Sequence, residues 1–119
     1  MKHNFYNLEI WKRSRILVKT IYEQTRQFPA EERFGLTFQI RTAAVSVPSN
    51  IAESCGRGTD KQLVHFLDIS IGSLCELETQ VYVAMDLNFL EDKQHETLIA
   101  EITAVRKMIM GFKNSIKIV

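Results

Sequence analysis

The sequence predicts an all-α protein, an antiparallel up-down-up-down four-helix bundle formed as one domain over residues 1–119. Three observations carry that prediction. Five Gly and two Pro in 119 residues are too few for a loop-rich β-sandwich or a disordered linker. Apolar residues recur at spacings of three and four through four long stretches. The punctuation between those stretches leaves connections of only a few residues, which place consecutive helices side by side with opposite direction. With 45% hydrophobic and 24% charged residues, a chain this long buries roughly two thirds of its unfolded surface, so its core needs neither disulfide nor metal.

The first helix is expected over about residues 8–27, with Asn7 as N-cap and Pro29 just beyond its end. Ile10, Trp11, Leu17, Val18, Ile21, Tyr22 and Phe28 mark its core side, Ser14 filling a gap in the stripe. Lys12, Arg13, Arg15, Lys19 and Arg26 lie on the other side, and Ile16 sits among them without an intramolecular use.

The second helix, about 31–57, opens on acids at the positive end of its dipole and closes at Gly56 and Gly58. It carries two apolar stripes: Leu36, Ile40, Ala43, Ala44, Val47, Ile51 and Cys55 on one side, and Phe34, Phe38, Val45 and Ala52 on another. A helix apolar on two sides must be covered twice, by its own bundle or by a neighbouring subunit. Phe34, Phe38, Val45 and Ala52 are therefore candidate oligomer contacts. Pro48 in mid-helix removes one N–H and crowds the carbonyl of Ala44, which predicts a kink costing about 3 kcal/mol against an unbroken helix.

The third helix, about 60–87, starts at Thr59-Asp60-Lys61-Gln62, a capping-box pattern. Leu63, Phe66, Leu67, Ser70, Ile71, Leu74, Leu77, Val81, Ala84 and Met85 form its core face, Ser70, Gly72 and Ser73 permit close helix approach, and Asn88 is the stop. The fourth, about 92–116, has Leu98, Ile102, Val105, Ile109, Phe112 and Ile116 in a narrow seam. The tail Ile118-Val119 follows, frayed or docked.

Charge is nearly balanced, with 15 basic and 14 acidic residues, but it is polarised along the chain. Residues 1–58 hold nine Lys or Arg against five Asp or Glu, a net of +4, and residues 59–119 hold six against nine, a net of −3. This fits a basic face for phosphates, opposite faces meeting between subunits, or ordinary solvated helix surfaces. Cys55 and Cys75 lie in apolar patterns without a CxxC motif and are expected as reduced core thiols. MKHNFYNLEIWKRSR contains no apolar signal-peptide stretch, and no segment has the length of apolar residues a membrane span needs. A cytoplasmic protein without membrane contact is expected.

Catalytic signatures do not emerge. The Glu-x-x-His pairs of di-iron bundles are missing, GxxxxGK[ST], HExxH and GxSxG do not occur, and no cofactor or small-molecule substrate is implied. His3 falls in the N-terminal tail, and His65 and His95 are expected on helix surfaces. The informative polar residues lie inside apolar runs: Glu76, Glu78 and Gln80 in SLCELETQ, Asn50 and Glu53 in PSNIAES, with Gln39 and Arg41 earlier on the second helix. Glu53, Glu76 and Glu78 could ligate a cation or serve as acid and base. A structural network of Gln39, Asn50, Glu53, Glu76 and Glu78, with Arg41 on a carboxylate and Asn50 bridging the Pro48 break, is the favoured expectation, since no nucleophile or glycine loop completes a mechanism.

Taken together, Phe28-Pro29, Glu32-Arg33, Gly35-Leu36, Gln39, Arg41, Ser46-Val47-Pro48-x-Asn50-Ile51-Ala52-Glu53, and Gly72-Ser73-Leu74 with Glu76-Leu77-Glu78-Thr79 resemble the four-helix-bundle family encoded by intervening sequences within bacterial 23S ribosomal RNA genes. The resemblance runs from Leu8 through Leu90, with Ser54 where the family usually has Gly and Thr42 where it has Arg. It implies a homo-oligomer in the form of a ring-like pentamer, and no known catalytic activity. Relatives accompany the reverse transcriptases of diversity-generating retroelements, where a basic surface engages nucleic acid and polymerase.

The expectation that follows is a non-enzymatic oligomeric scaffold whose Lys12, Arg13, Arg15, Lys19, Arg26, Arg33, Arg41 and Arg57 contact RNA phosphates without sequence preference, the aromatics being spent on the core. The alternative is a protein adaptor whose ring docks another protein, such as a polymerase, with no direct nucleic-acid contact.

Overall fold

The computed structural model describes residues 4–118, so His3 and Val119 lie outside the described residues. Four helices account for most of them: α1 (Glu9–Gln24), α2 (Leu36–Cys55), α3 (Asp60–Asp86) and α4 (Asp92–Asn114), and no strand occurs among the described residues. Each helix packs on the next and α4 returns to α1. Cross-helix contacts pair Asp68, Glu78 and Tyr82 of α3 with Lys113, Arg106 and His95 of α4, and Arg13 and Gln24 of α1 with Glu101 and Gln94 of α4. In both pairs one number rises as the other falls. The longest dimension, 47 Å, is close to the ~40 Å that 27 residues of α3 span at 1.5 Å each, so the helices lie along the long axis.

The core follows the apolar periodicity. Leu17, Ile21, Ile40, Ala44, Val47, Ile51, Leu67, Leu74, Leu77, Val81, Ile102, Val105 and Ile109 are buried in one cluster drawn from all four helices. Ser14 sits buried in the stripe of α1 because its hydroxyl donates back to the carbonyls of Ile10 and Trp11, at 2.6 and 3.1 Å. Tyr22 departs from expectation: it is exposed, its ring covered by the Arg41 guanidinium 4.5 Å from the centroid instead of by the core.

Helix ends differ in instructive ways. Asn4, not Asn7, is the capping asparagine, accepting from the Tyr6 amide at 3.1 Å to fix a 3-10 turn over Phe5–Asn7 before α1. The acids expected to open the second helix instead form a separate 3-10 turn at Ala30–Glu32. Glu32 still serves α2, its Oε1 accepting from the Leu36 amide at 3.0 Å. That carboxylate passes 2.8 Å from where a Cβ on Gly35 would stand, which is why the position suits glycine. At α3, Thr59 Oγ1 accepts from the Gln62 amide at 3.1 Å as expected, whereas the reciprocal capping box is found at Glu91 and Gln94 of α4. α3 ends in a Schellman motif: Asn88 adopts φ 64°, Phe89 N–H reaches the Ala84 carbonyl and Asn88 N–H that of Met85.

α2 runs helical through Pro48 from Leu36 to Cys55. Carbonyls beside the proline find side-chain donors: Ser49 Oγ to Val45, Asn50 Nδ2 to Ser46, and Ser70 Oγ of α3 to Val47, at 2.8, 2.8 and 2.9 Å. Ser54 is buried and donates to the Ile51 carbonyl at 2.6 Å.

The two thiols part company. Cys55 is buried, and that burial pushes its thiol above the usual range despite the Ser54 hydroxyl beside it, whereas Cys75 is exposed, 100° around α3 from the Leu74 stripe. One thiol per chain is expected to react with a maleimide under native conditions and the second only after unfolding. Two thiols reacting at equal rates in the native protein would contradict this placement.

Candidate nucleic-acid interface

The eight basic residues singled out from the sequence do not form one patch. Arg13, half-buried at the seam of α1 and α4, is consumed by an ion pair, gripping Glu101 through Nε at 2.7 Å and Nη2 at 3.1 Å. Glu101 holds the Arg13 guanidinium above even its usual high range. Arg41 is consumed too, but not by a carboxylate. Its Nε donates to Thr25 Oγ1 at 3.0 Å and its Nη2 to the Tyr22 carbonyl at 3.4 Å, a cation laid on the last turn of α1 where the dipole favours it. Arg57 pairs with Glu53 at 3.1 Å and lies over the Phe66 ring.

Five cations remain without an acidic partner among the described residues: Lys12, Arg15, Lys19, Arg26 and Arg33. Three of these lie along one side of the first helix. Lys12, Arg15 and Lys19 fall on one face of α1 because their spacings are three and four, whereas Arg26 lies past the Thr25 C-cap and lines a separate cleft of about 170 Å³ with Arg33 and Arg41. Lys12 and Lys19 stand about 10 Å apart along the axis. Glu9, three residues before Lys12, and Glu23, four after Lys19, flank this run with negative charge. A shallow cleft of about 380 Å³ lies between Lys12, Arg15, Ile16 and Lys19, and Ile16 is 56% exposed there.

Arg33 belongs to a second region. It lies 4.9 Å over the Phe34 ring and, with Tyr22, Thr37, Phe38, Arg41, Thr42 and Val45, bounds an open groove of about 420 Å³ between α1 and α2. The second apolar stripe of α2 is uncovered here, with Phe38 55% and Val45 40% exposed and Ala52 half-buried, while Phe34, expected on that stripe, lies in the turn before α2 and is 82% exposed. The first stripe of the same helix is buried in the bundle.

The expected five-residue polar network is not assembled. Glu78 pairs with Arg106 of α4 at 2.6 Å, Glu53 pairs with Arg57, and Asn50 bonds Ser46, while Gln39 and Glu76 are exposed. Residues 76 and 78 diverge by 200° around α3, which sends the two carboxylates to different neighbours. Glu53, Glu76 and Glu78 thus make no common site, and among the described residues no three His, Cys, Asp or Glu side chains gather to hold a metal ion.

His95 is a further correction. It is buried instead of surface-facing, its ring edge-on to Tyr82 at 4.5 Å and its Nδ1 without a partner among the described residues. The signal was in the sequence: 95, 98, 102, 105 and 109 share one helical spacing. Sequence reasoning also missed the exposure of Tyr6, Tyr22 and Tyr82, but placed Phe34 and Phe38 on a side the bundle leaves open. Tyr6, Tyr22, Phe34, Phe38 and Tyr82 are exposed and Trp11 is half-buried, so the aromatics are not all spent on the core.

Residues 6–111 match the model of a family described as 23S rRNA-intervening sequence protein. A crystal structure described as a protein with unknown function from the S23 ribosomal protein family of Bacteroides thetaiotaomicron superposes with a TM-score of 0.78, covering 87% of this chain and 97% of that one. At 16% identity that likeness speaks for the fold alone. No curated protein matches the sequence. No helix among the described residues is long and apolar enough to cross a membrane.

Proposed function

The chain belongs to the 23S rRNA-intervening sequence protein family, and on that premise we propose that it is a non-catalytic, self-assembling scaffold that binds RNA through the outward face of α1. The observation that carries this is the row Lys12, Arg15 and Lys19, none of which has an acidic partner among the described residues. Cations held at regular intervals on a rigid helix suit a phosphate chain, and they attract it whatever its sequence. Copies meet through Phe34, Phe38, Val45 and Ala52, flanked by Arg33 and Arg41, in the pentameric ring that the family resemblance implies. The opposite net charges of the two chain halves favour unlike faces meeting between neighbours.

Binding of a single-stranded RNA oligomer, followed by filter retention between 50 and 300 mM salt, is the test. About three phosphate contacts per subunit give a slope of log K against log salt of about −2. Reversing Lys12, Arg15 and Lys19 to Glu is expected to weaken binding more than tenfold at about 100 mM salt. Binding that ignores salt, or that survives the triple reversal, would overturn the proposal.

The adaptor alternative is favoured by one observation: Ile69 and Val83 of α3 and Leu87 at its C-cap expose apolar side chains at helical spacing. A protein partner retained after nuclease treatment, together with no RNA bound at low salt, would put that alternative in its place.

A further inference from the structure

Resting on the RNA-binding proposal, we propose that the RNA taken up is single-stranded, and that one unpaired base stacks on a platform of Tyr6, Trp11 and Arg15 at the N-terminal end of the phosphate row. The platform is built by the turn before α1. Asn4 caps that turn through the Tyr6 amide, and Leu8 N–H returns to the Phe5 carbonyl at 3.1 Å, so three rings are held together. Phe5 and Tyr6 lie 4.3 Å apart between centroids, and Phe5 and Tyr6 meet Trp11 edge-on at 5.1 and 5.6 Å.

Arg15, one turn along α1, lays its guanidinium 4.7 Å over the Trp11 ring. One face of the planar cation is thereby covered. Arg15 is exposed among the described residues, and Tyr6, edge-on to the same Trp11 ring, is 62% exposed. A guanidinium already resting on an aromatic ring presents a flat, weakly hydrated, positive surface, which suits a nucleobase. Among the described residues Phe5, Tyr6 and Trp11 form the aromatic cluster at the N-terminal end of the α1 cations, apart from the α2 stripe assigned to self-assembly, and Tyr6 is its most exposed member. Lys12 is adjacent to Trp11 in sequence and Lys19 is one turn beyond Arg15, so a nucleotide on the platform has its phosphates within the row.

A duplex offers no such base. Its rings are stacked inside the helix, and its deep, narrow groove excludes side chains. The row alone would accept either form, and it is the aromatic end that selects unpaired RNA.

Trp11 is the one tryptophan in the chain and reports directly on the platform. Its fluorescence would be followed on adding a uridine oligomer, an RNA duplex of equal phosphate number, and heparin, an anion without bases. The expected result is saturable quenching by the single strand, with no change of the Trp11 signal on duplex or heparin. Tyr6→Ala is expected to weaken single-strand binding by about tenfold and to leave duplex and heparin binding as they were. Arg15→Lys, which keeps the charge but loses the plane, is expected to weaken single-strand binding by about tenfold and duplex or heparin binding by much less. Both positions are exposed, and unchanged circular dichroism will verify the fold. Equal affinity for duplex with a silent Trp11, the same quenching by heparin, or an Arg15→Lys variant that binds like the parent overturns the platform while leaving the phosphate row standing. Failure of all three polyanions to bind overturns the platform together with the RNA proposal beneath it.

Discussion

Replacing Phe34 and Phe38 together by Asp is expected to release single subunits from the assembly with no loss of helix. Both rings stand largely in solvent in the lone subunit, 82% and 55% exposed, and neither belongs to the buried cluster. Polar residues there disturb little within a chain. Covering a phenylalanine is worth about 1.5–3 kcal/mol, so two per contact supply several kcal/mol that the variant forfeits. Two carboxylates trapped in the same contact add a further penalty of several kcal/mol. Sedimentation of the variant at micromolar concentration should show one species of subunit mass with the circular dichroism of the parent. An assembly that persists in the variant would place the contact elsewhere.

Leu74→Ala is expected to be the most damaging single truncation. Leu74 is fully buried near the middle of α3, the helix that packs on both α2 and α4. Removing its isobutyl group leaves a cavity in a cluster built from all four helices, at about 2–5 kcal/mol. Against the 5–15 kcal/mol that holds an ordinary domain together, that is a large fraction, and it lowers Tm by about 10 °C or more. Ile69→Ala, on the exposed face of the same helix, should shift stability by no more than about 0.5 kcal/mol. The two melts must be compared at one protein concentration, because assembly stabilises the folded chain by mass action. Equal melting of the two variants would contradict the packing described for α3.

The four helices were legible because burial imposes a period, and residues such as Leu17, Ile40, Leu67 and Ile102 obey it. The second stripe of α2 was legible for the same reason: Phe38, Val45 and Ala52 repeat at helical spacing on a side the bundle does not fill, whereas Phe34, expected as its first member, sits in the turn ahead of the helix. What the period does not encode is which partner a polar side chain finds. Arg13 and Arg15 look equivalent in the sequence, yet Glu101 of α4 claims the first and Trp11 the second. Arg41 spans sixteen residues back to Thr25, a distance that exists only once α1 and α2 are packed. Glu53 and Glu78 look like members of one cluster until the fold sends them to Arg57 and Arg106. Residue type misled twice: a histidine was expected in solvent and a cysteine inside, but His95 lies on the core stripe of α4 and Cys75 one step off that of α3.

The account turns on α2 being apolar on two sides while its own bundle covers one. The mass of the native protein, measured over a dilution series from high to low micromolar concentration, tests this most directly. A stable multiple of the 13.8 kDa subunit, falling apart only in the Phe34 and Phe38 variant, is the predicted result. A species of 13.8 kDa at every concentration would contradict it.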